Sequence, residues 1–540
     1  MSAYARDRDE SFDATVRALF SAQHRGAALA SAAAARKQTV PQMEVYFRRL
    51  VNYAHDRVAA AHFMNYWSKL PCVHVTGTKG KGSTCAFIEG ILSQIQVPED
   101  GDRKDSNGRR LITGTFTSPH LVRVTERFRV GQQPVRDAVF IECFWEVWDA
   151  LHAAAAAESA ATGSKSEMQA VDTIPGYFRL VTIVAFWIFA KECVDVAIIE
   201  VGCGGRYDAT NILGATITSD GQPTWKLGQL LATGVTTLDL DHTQTLGSTF
   251  AEIANEKGGI YKPGVPALTV PQVEEAMVVL RQCAASAQSS LLHASPPSTS
   301  TSASTTCDIA VPVHLMIIPP IKDLNLHLVS EKESAASPSL PGLLVPSFQR
   351  TNAALAIALS CLVHRALGLT KVEQGSYILN NFITSIMSEP DEDLNVATID
   401  VDAILQSNKT VSYTSSSFLI RGLVSTTWPG RCQSFLTVPL ENFLPNNCKK
   451  DLYSLPKSCS LSPVRWHIDC AHTPKSMHYC RKWFESTMMN NRAHTNVAST
   501  QTRERILIFN CSHEKVKKVI DATYVDSMYV CLTERTPTFW

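Results

Sequence analysis

The chain has 540 residues, which is more than a single hydrophobic core supports, so we expect at least two domains. Hydrophobic residues make up 45% of the chain and charged residues 19%, a composition typical of folded globular proteins that excludes wholesale disorder. Because Lys plus Arg (50) balance Asp plus Glu (50), no bulk basic field attracts nucleic acid or an anionic membrane, and any phosphate site must be local.

The N-terminal segment indicates neither a secretory signal nor a membrane span. Residues 1–10 are rich in charges and lack an apolar core, and no run of about 18 apolar residues occurs in the chain. The 15 cysteines include no C-x-x-C pair and often adjoin apolar residues. We interpret them as reduced, buried thiols of a protein in a reducing compartment.

The first predicted elements lead into a glycine-rich loop. Apolar residues recur at helical spacing between residues 10 and 70. Residues 71–76 form a short β-prone run, and a helical pattern resumes over 84–94 on the far side of the glycines. Strand, loop and helix therefore follow in order, which is the context that a phosphate-binding loop requires.

Further along the chain, buried strands alternate with helices. Residues 98–110 and 152–172 are stretches of polar or small residues that we interpret as mobile surface insertions. The apolar stretch 180–190 predicts a core helix, whereas 194–201 and 505–510 have the continuous apolar character of buried strands. Such alternation predicts parallel α/β sheets.

The strongest domain-boundary signal is a stretch rich in serine and threonine. Residues 286–306 cannot bury enough apolar surface to offset their ordering entropy, so we expect a disordered insertion there. A second Ser/Pro-rich segment precedes a helical pattern at 352–367. We therefore place the domain junction near residue 346, with an N-terminal domain over 1–345 and a C-terminal domain over 346–540.

The glycine loop carries the sharpest functional signal. Its three glycines let backbone amides approach phosphate oxygens, Lys81 supplies a cation, and the helix that follows adds its dipole. Val75 and Gly82 stand where the standard P-loop pattern requires Gly and Ser or Thr, so a glycine-rich turn without a ligand is the alternative. The predicted ATP-binding residues of the loop are Gly77, Thr78, Lys79, Gly80, Lys81, Gly82 and Ser83.

This loop resembles the nucleotide loop of the Mur ligase superfamily, and further motifs resemble those of folylpolyglutamate synthases of the eukaryotic type. The motifs occur in the family's order at 74–84, 115–127, 200–211, 240–247, 256–264, 349–354, 428–431 and 469–476. The resemblance implies a two-domain α/β fold. Its N-terminal P-loop-type domain would have a parallel or mixed sheet flanked by helices, and its smaller C-terminal glutamate-ligase domain would be Rossmann-like.

The resemblance also implies the reaction and its participants. A folylpolyglutamate synthase adds L-glutamate to the γ-carboxylate of a folate, using ATP to form an acyl phosphate first, because a free carboxylate is a poor electrophile. The implied cofactors are ATP and Mg²⁺, with a monovalent cation left open. The implied partners are small molecules only, namely a reduced folate, L-glutamate and ATP. We expect a monomer in the cytoplasm, with a mitochondrial pool as the alternative location.

Four residues match the family's metal site. Ser118, Glu200 and His242 match magnesium ligands, and a hydroxyl, a carboxylate and an imidazole form a hard or borderline set without thiolates. Lys257 matches a lysine that is carbamylated by CO₂, which requires a neutral amine and therefore a lowered pKa. Without the family, the same residues would be a turn former, a strand-end carboxylate, a loop imidazole and a solvated lysine.

The C-terminal domain supplies the remaining predicted site residues. Asn352, Arg431 and Asp469 match nucleotide contacts, which implies that ATP lies in an interdomain cleft that closes for catalysis. His472 resembles a position near the incoming glutamate, with a turn histidine as the alternative. The predicted catalytic residues are therefore Lys81, Lys257 and His472.

The chain also departs from the family pattern. An insertion at 219–228 precedes the His242 motif, Phe348 replaces a histidine, and Cys432 stands where an aromatic residue is usual. After Phe509 the family continues through further elements, so we expect a shortened second domain here. The alternatives to a folylpolyglutamate synthase are a bifunctional enzyme that also glutamylates dihydropteroate and an inactive nucleotide-binding homologue.

Overall fold

The computed structural model describes residues 8–22, 36–97, 108–162, 172–214, 227–287, 315–321, 346–367, 396–398, 418–431, 433–436, 465–469, 477–485, 506–509 and 529–532. The chain divides into two compact units. The first comprises Met1–Ser339 and Arg350–Thr426, and the second comprises Leu340–Gln349 and Thr427–Trp540. The predicted domain junction near residue 346 stays a prediction.

Helices and strands alternate along much of the chain. The α-helices are α1 (Phe12–Ser21), α2 (Thr39–Tyr53), α3 (Arg57–Trp67), α4 (Lys81–Leu92), α5 (Asp137–Thr162), α6 (Tyr177–Lys191), α7 (Thr243–Leu246), α8 (Phe250–Gly258), α9 (Glu274–Ser286), α10 (Ser347–Ala366) and α11 (Phe418–Ser425). The strands are β1 (Pro71–Thr76), β2 (Gln96–Val97), β3 (Arg109–Arg110), β4 (Thr113–Phe116), β5 (Phe128–Val130), β6 (Gln133–Pro134), β7 (Val196–Glu200), β8 (Gln229–Val235), β9 (Ala267–Thr269), β10 (Leu315–Ile317), β11 (Val396–Thr398), β12 (Gln433–Leu436), β13 (Arg465–Ile468), β14 (Ile506–Phe509) and β15 (Tyr529–Leu532). Short 3₁₀ turns span Val124–Arg127 and Ala209–Ile212, and residues 477–485 are also helical.

The first unit is built around a mixed sheet. Nine strands of the described residues join in the order β11-β10-β9-β8-β1-β7-β4-β5-β6. The pairings from β11 through to β4 are parallel, and β5 and β6 add an antiparallel edge. This arrangement confirms the predicted α/β class with a parallel or mixed sheet.

The central strands consist of residues that are buried on both faces. Every residue of β7 is buried, and in β1 only Pro71 is partly exposed. Strands at the centre of a parallel sheet are covered by helices on both sides, which is why they are apolar throughout instead of alternating. The apolar runs at 71–76 and 194–201 therefore predicted these strands correctly.

Side-chain caps begin two of the helices. The Asp56 side chain accepts hydrogen bonds from the amides of Val58 and Ala59 and so caps α3. Thr249 and Glu252 form a reciprocal capping box at the start of α8. This cap stabilises the first turn of the helix that carries Lys257.

The N-terminal helices pack on α6 through aromatic side chains. The ring of Trp67 in α3 stacks on Phe186 in α6 with centroids 4.3 Å apart and an interplanar angle of 18°. The Trp67 indole N–H also donates to the Phe186 carbonyl at 3.0 Å. Phe47 and Phe63 are fully buried in the same cluster. The helical structure predicted between residues 10 and 70 is confirmed in α1, α2 and α3, while residues 23–35 lie outside the described residues.

The second unit is smaller in its described part. β12 and β13 pair antiparallel, β14 and β15 pair parallel, and residues 477–485 form a helix. The strand predicted at 505–510 is observed as Ile506–Phe509.

One sequence-based prediction is wrong. Residues 152–172 were expected to be a mobile insertion, yet α5 continues through His152 to Thr162. The run Ala153–Ala157 explains this difference, because alanine has the highest helix propensity. The buried Arg49 of α2 also pairs with Glu158 at 2.6 Å, which holds this part of α5 against the core.

The other predicted insertions fall largely outside the described residues. This applies to 98–107, 163–171, 219–226 and 288–306. Within the residues that the structure does describe, no helix is both long and apolar enough to cross a membrane. The eight cysteines with described surroundings are free thiols, but only four of them are buried, so the interpretation of buried thiols holds for half of them.

Candidate active site

The predicted site residues of the first unit gather where neighbouring parallel strands end. β4, β7, β1 and β8 are adjacent in the sheet, so their carboxyl ends lie along one edge. Glu200 is the last residue of β7 and pairs in register with Val75 of β1. The loops leading to Ser118 and to His242 leave this same edge, which is where parallel α/β sheets bind ligands.

The glycine loop connects β1 to α4, as predicted. Gly77 and Gly80 have φ angles of 148° and 94°, in the region that favours glycine. A Cβ atom on Gly77 would lie 1.8 Å from the Thr236 hydroxyl oxygen, and one on Gly80 would lie 2.1 Å from the Asn352 side-chain oxygen. Both glycines are therefore required by close packing as well as by backbone conformation. The second contact brings the predicted nucleotide residue Asn352, on α10, against the loop.

The start of α4 presents backbone donors beside this loop. Lys81, Gly82 and Ser83 form its first turn. The first amides of a helix have no intrahelical acceptor, and together with the helix dipole they favour an anion at this position. The arrangement suits a phosphate group, and ATP binding by residues 77–83 stays a prediction.

Two lysines approach one backbone oxygen of the loop. The Lys81 ammonium lies 3.1 Å from the Gly77 carbonyl oxygen, and the Lys257 side-chain nitrogen lies 2.9 Å from the same atom. Lys257 is 3% exposed. Burial, together with a smaller contribution from the positive charge of Lys81, lowers the pKa of Lys257 to about 7. A neutral amine is therefore accessible near neutral pH.

The segment that follows β8 is bound tightly to the loop. The amides of Thr78 and Lys79 both donate to the Thr237 carbonyl at 3.0 Å, and the Lys79 ammonium pairs with Asp241 at 3.2 Å. Burial would raise the pKa of Asp241, but the charges of Lys79 and His242 and their hydrogen bonds outweigh it and lower that pKa to about 2. Asp241 is thus a carboxylate at physiological pH and holds the residue before His242 in place.

The structure brings together two of the three predicted metal ligands. The Ser118 amide donates to a Glu200 side-chain oxygen at 3.0 Å, and Glu200 is 3% exposed. His242 is exposed and precedes α7, with its amide donating to Asp241 at 3.0 Å. Among the described residues, no three or more His, Cys, Asp or Glu side chains form a metal-binding group. The oxygen donors of Ser118 and Glu200 fit a hard cation such as magnesium.

In the second unit, two predicted nucleotide residues lie at the same end of a strand pair. Gln433 of β12 is in register with Ile468 of β13. Arg431 precedes Gln433 by two positions and Asp469 directly follows Ile468, so the antiparallel pairing brings their backbones close together. His472 lies outside the described residues.

Sequence reasoning missed several residues that position the site. The Thr236 hydroxyl donates to the Lys79 carbonyl at 2.8 Å, and Arg36 contacts residues around α7 and α8. Asp241 could have been found, because it directly precedes His242 in the motif at 240–247. Thr236 and Arg36 have no local signal, since their contacts are with residues far away in the chain.

No protein-family model matches the chain. Among curated proteins, the mitochondrial folylpolyglutamate synthase of Bos taurus is 31% identical over 448 residues, which are 83% of this chain and 56% of that protein. The mitochondrial folylpolyglutamate synthase of Cricetulus griseus is 30% identical over 519 residues, which are 93% of this chain and 65% of that protein. The chain thus spans less than two thirds of the length of these relatives.

A solved structure has the same fold. The apo form of L. casei FPGS matches 98% of this chain and 90% of its own chain with a TM-score of 0.54, at 19% sequence identity. This likeness agrees with the α/β architecture that the strand and helix order predicted.

Proposed function

Because the chain belongs to the folylpolyglutamate synthase family, we propose that it adds L-glutamate to the γ-carboxylate of a folate at the expense of ATP. One observation carries this proposal above the others. The glycine loop has two lysines, Lys81 and the buried Lys257, on the single carbonyl oxygen of Gly77. The positive charge of Lys81 at the N-terminus of α4 supports binding of a triphosphate and the transfer of its terminal phosphoryl group, and Lys257 places an amine that can be neutral near pH 7 beside the same loop.

In the first step, an oxygen of the folate carboxylate attacks the γ-phosphorus of ATP. A carbon-bound oxygen gains a bond to phosphorus, the bond to the bridging oxygen of ADP breaks, and an acyl phosphate and ADP result. Lys81 and the amides of the α4 first turn are the groups proposed to offset the charge that develops on the phosphoryl oxygens. Asn352, which lies on α10 beside Gly80, is proposed to contact the nucleotide.

Ser118, Glu200 and His242 are the residues proposed to hold magnesium. Magnesium, when bound, neutralises phosphate charge and polarises the phosphoryl oxygens as a Lewis acid. The backbone amide of Ser118 orients the Glu200 carboxylate at 3.0 Å, and the Lys79–Asp241 pair orients the segment that carries His242. These hydrogen bonds would keep the donors in position before the nucleotide arrives.

Lys257 is the proposed site of carbamylation. Its neutral amine attacks the carbon of CO₂, a nitrogen–carbon bond forms, and a proton is released, which leaves a carbamate with a negative charge. The lowered pKa of Lys257, about 7, supports this reaction because only the unprotonated amine has a free electron pair. The product is an additional carboxylate-like oxygen donor next to the phosphate loop.

In the second step, the amine of L-glutamate attacks the acyl carbon. The new carbon–nitrogen bond forms, phosphate leaves with the electron pair of the broken carbon–oxygen bond, and the amine loses its proton. His472 is the residue proposed to lie near the incoming glutamate, and Arg431 and Asp469 are proposed nucleotide contacts. The reduced folate, L-glutamate and ATP are the proposed substrates, and we propose a monomer that acts in the cytoplasm.

The deciding experiment measures ATP-dependent incorporation of labelled glutamate by the purified chain. Tetrahydrofolate and dihydropteroate are compared as acceptors, with magnesium omitted as a control. Incorporation with tetrahydrofolate alone supports the proposed function, and incorporation with both acceptors supports the bifunctional alternative. Incorporation with neither, by a folded chain that binds ATP, supports the inactive homologue and overturns the proposal.

The substitution Lys81→Ala tests the phosphate loop within the same assay. We expect incorporation to fall by about 10²- to 10³-fold, since a charge aimed at the transferred phosphoryl group is lost. Lys69→Ala is the matched control, because Lys69 is an exposed lysine two residues before β1. Equal rates for the two variants would reject the role assigned to Lys81.

A further inference from the structure

Arg36 lies outside every motif that indicated the function, yet its side chain meets three segments of the candidate site. One guanidinium nitrogen donates to the Glu256 carboxylate at 2.9 Å, and another donates to the Thr245 carbonyl. The guanidinium also lies 5.8 Å from the centre of the Tyr207 ring. A Cβ atom placed on Gly204 would be 3.5 Å from an Arg36 nitrogen.

Each of these segments leads to a residue of the proposed metal site. The loop with Gly204 and Tyr207 follows Glu200 at the end of β7. Thr245 lies in α7, which begins directly after His242. Glu256 directly precedes Lys257 in α8.

We propose that Arg36 is a positioning residue that holds these three segments, and with them Glu200, His242 and Lys257, in the arrangement needed to bind the magnesium–nucleotide complex. This inference rests on the proposed function for the identity of the metal site. It adds a residue from the N-terminal region, which no motif of the sequence assigns to the reaction.

The geometry requires an arginine. Its side chain is 27% exposed and that of Glu256 is 16% exposed, so the ion pair is largely shielded from water. The planar guanidinium donates to Glu256 and Thr245 at the same time, from nitrogens that have a fixed separation. A lysine would retain the charge at a single nitrogen and could not span the two acceptors in the same way.

The support for Arg36 is rigid. It lies just before α2, whose residues Met43, Tyr46 and Phe47 are buried in the core of the first unit. A side chain next to a packed helix can hold other segments in place, whereas a side chain in a segment that does not pack on the core could not. Arg36 thus connects the core to three segments of the candidate site that are separate along the chain.

The test measures Mn²⁺ binding in the presence of a non-hydrolysable ATP analogue, by the electron paramagnetic resonance signal of free Mn²⁺. We expect Arg36→Gln to weaken Mn²⁺ binding by about 10- to 100-fold, as is usual when a residue that orients metal ligands is lost. Glu256→Gln should also weaken Mn²⁺ binding. The double variant should bind Mn²⁺ no less tightly than the single variant with the lower affinity. The Mn²⁺ affinity of Arg36→Lys should lie between that of Arg36→Gln and that of the unsubstituted chain.

The matched control is Arg48→Gln. Arg48 is on α2 and pairs with Glu44 on the exposed face of that helix, so its loss should leave Mn²⁺ binding unchanged. Circular dichroism shows whether each variant is folded. If Arg36→Gln does not fold, Glu256→Gln tests the same contact from its other side.

A folded Arg36→Gln or Glu256→Gln that binds Mn²⁺ as well as Arg48→Gln does would overturn the inference. Failure of the proposed function is distinguishable from this result. An unsubstituted chain that binds Mn²⁺ with the nucleotide but incorporates no glutamate would reject the proposed function alone. An unsubstituted chain that binds no Mn²⁺ with the nucleotide would overturn both.

Discussion

At the scale of single residues, Lys257 and Lys262 are two buried lysines five positions apart with different surroundings. Lys257 donates to the Gly77 carbonyl in the phosphate loop, whereas Lys262 donates to the Asn211 carbonyl at 3.2 Å. Burial lowers the pKa of Lys257 to about 7 and that of Lys262 to about 8. A lowered pKa by itself therefore does not distinguish these two lysines, and the position of Lys257 beside the glycine loop is the observation that supports the proposed carbamylation there.

The pH dependence of carbamylation follows from the Lys257 pKa. Below about pH 7 the amine binds a proton and cannot attack CO₂, and above that pH it is neutral, so the carbamate should increase as the pH rises from about 6 to about 8. The measurement is ¹³C nuclear magnetic resonance of the carbamate after equilibration with labelled bicarbonate. Lys257→Ala should remove the signal, whereas Lys262→Met should retain it.

Chemical rescue provides a second readout for the same residue. Lys257→Ala should lose most glutamate incorporation, and short carboxylic acids in solution should restore part of it by replacing the lost carbamate. A carbamate signal that persists in Lys257→Ala, or an undiminished rate without added acid, would contradict the assignment.

At the scale of elements, the glycine loop depends on close contact with two other parts of the first unit. Gly77 leaves no room for a side chain beside Thr236, and Gly80 leaves none beside Asn352 of α10. The loop, the segment after β8 and α10 therefore constrain one another. A change at Gly80 should affect nucleotide binding through Asn352 as well as through the loop itself.

Gly80→Ala and Gly131→Ala separate packing from backbone strain. Both glycines have a positive φ, 94° and 56°, but a Cβ on Gly131 would meet nothing within 4 Å. We expect the free energy of unfolding of each variant to fall by roughly 1–2 kcal/mol, because alanine disfavours a positive φ. Only Gly80→Ala should also weaken binding of an ATP analogue, measured by calorimetry. Equal affinities in the two variants would show that the Asn352 contact has no role in nucleotide binding.

At the scale of the whole molecule, the N-terminal helices contribute to the core of the first unit. Trp67 is fully buried, stacks on Phe186, and donates its indole N–H to the Phe186 carbonyl. Arg36 lies in the same region, just before α2. Stability of the core and geometry of the candidate site are therefore linked through these helices.

Trp67→Ala tests the contribution of this packing to stability. We expect the free energy of unfolding to fall by about 3–5 kcal/mol, because removal of a large buried ring leaves a cavity. Urea denaturation followed by circular dichroism measures the change. Tyr53→Ala is the control, since Tyr53 is 37% exposed and should change stability by about 0.5 kcal/mol or less. Similar losses in both variants would contradict the packing argument.

Local patterns in the sequence determined much of this protein. The apolar runs of β1 and β7, the helical spacing between residues 10 and 70, and the glycine loop between β1 and α4 were all predicted, because neighbouring residues specify them. Motifs in a fixed order also indicated the family. The one clear error, the end of α5, arose because small residues were interpreted as an insertion when alanine favours a helix.

The tertiary structure alone decided which distant residues meet. Lys257 reaches the carbonyl of Gly77 across 180 positions, and Arg36 reaches Glu256 across 220. Such contacts depend on the order of strands in the sheet and on the packing of helices against it, and neither leaves a periodic or local trace in the chain. The same packing buries Lys257 and lowers its pKa, so the chemical character of this lysine is a property of the fold.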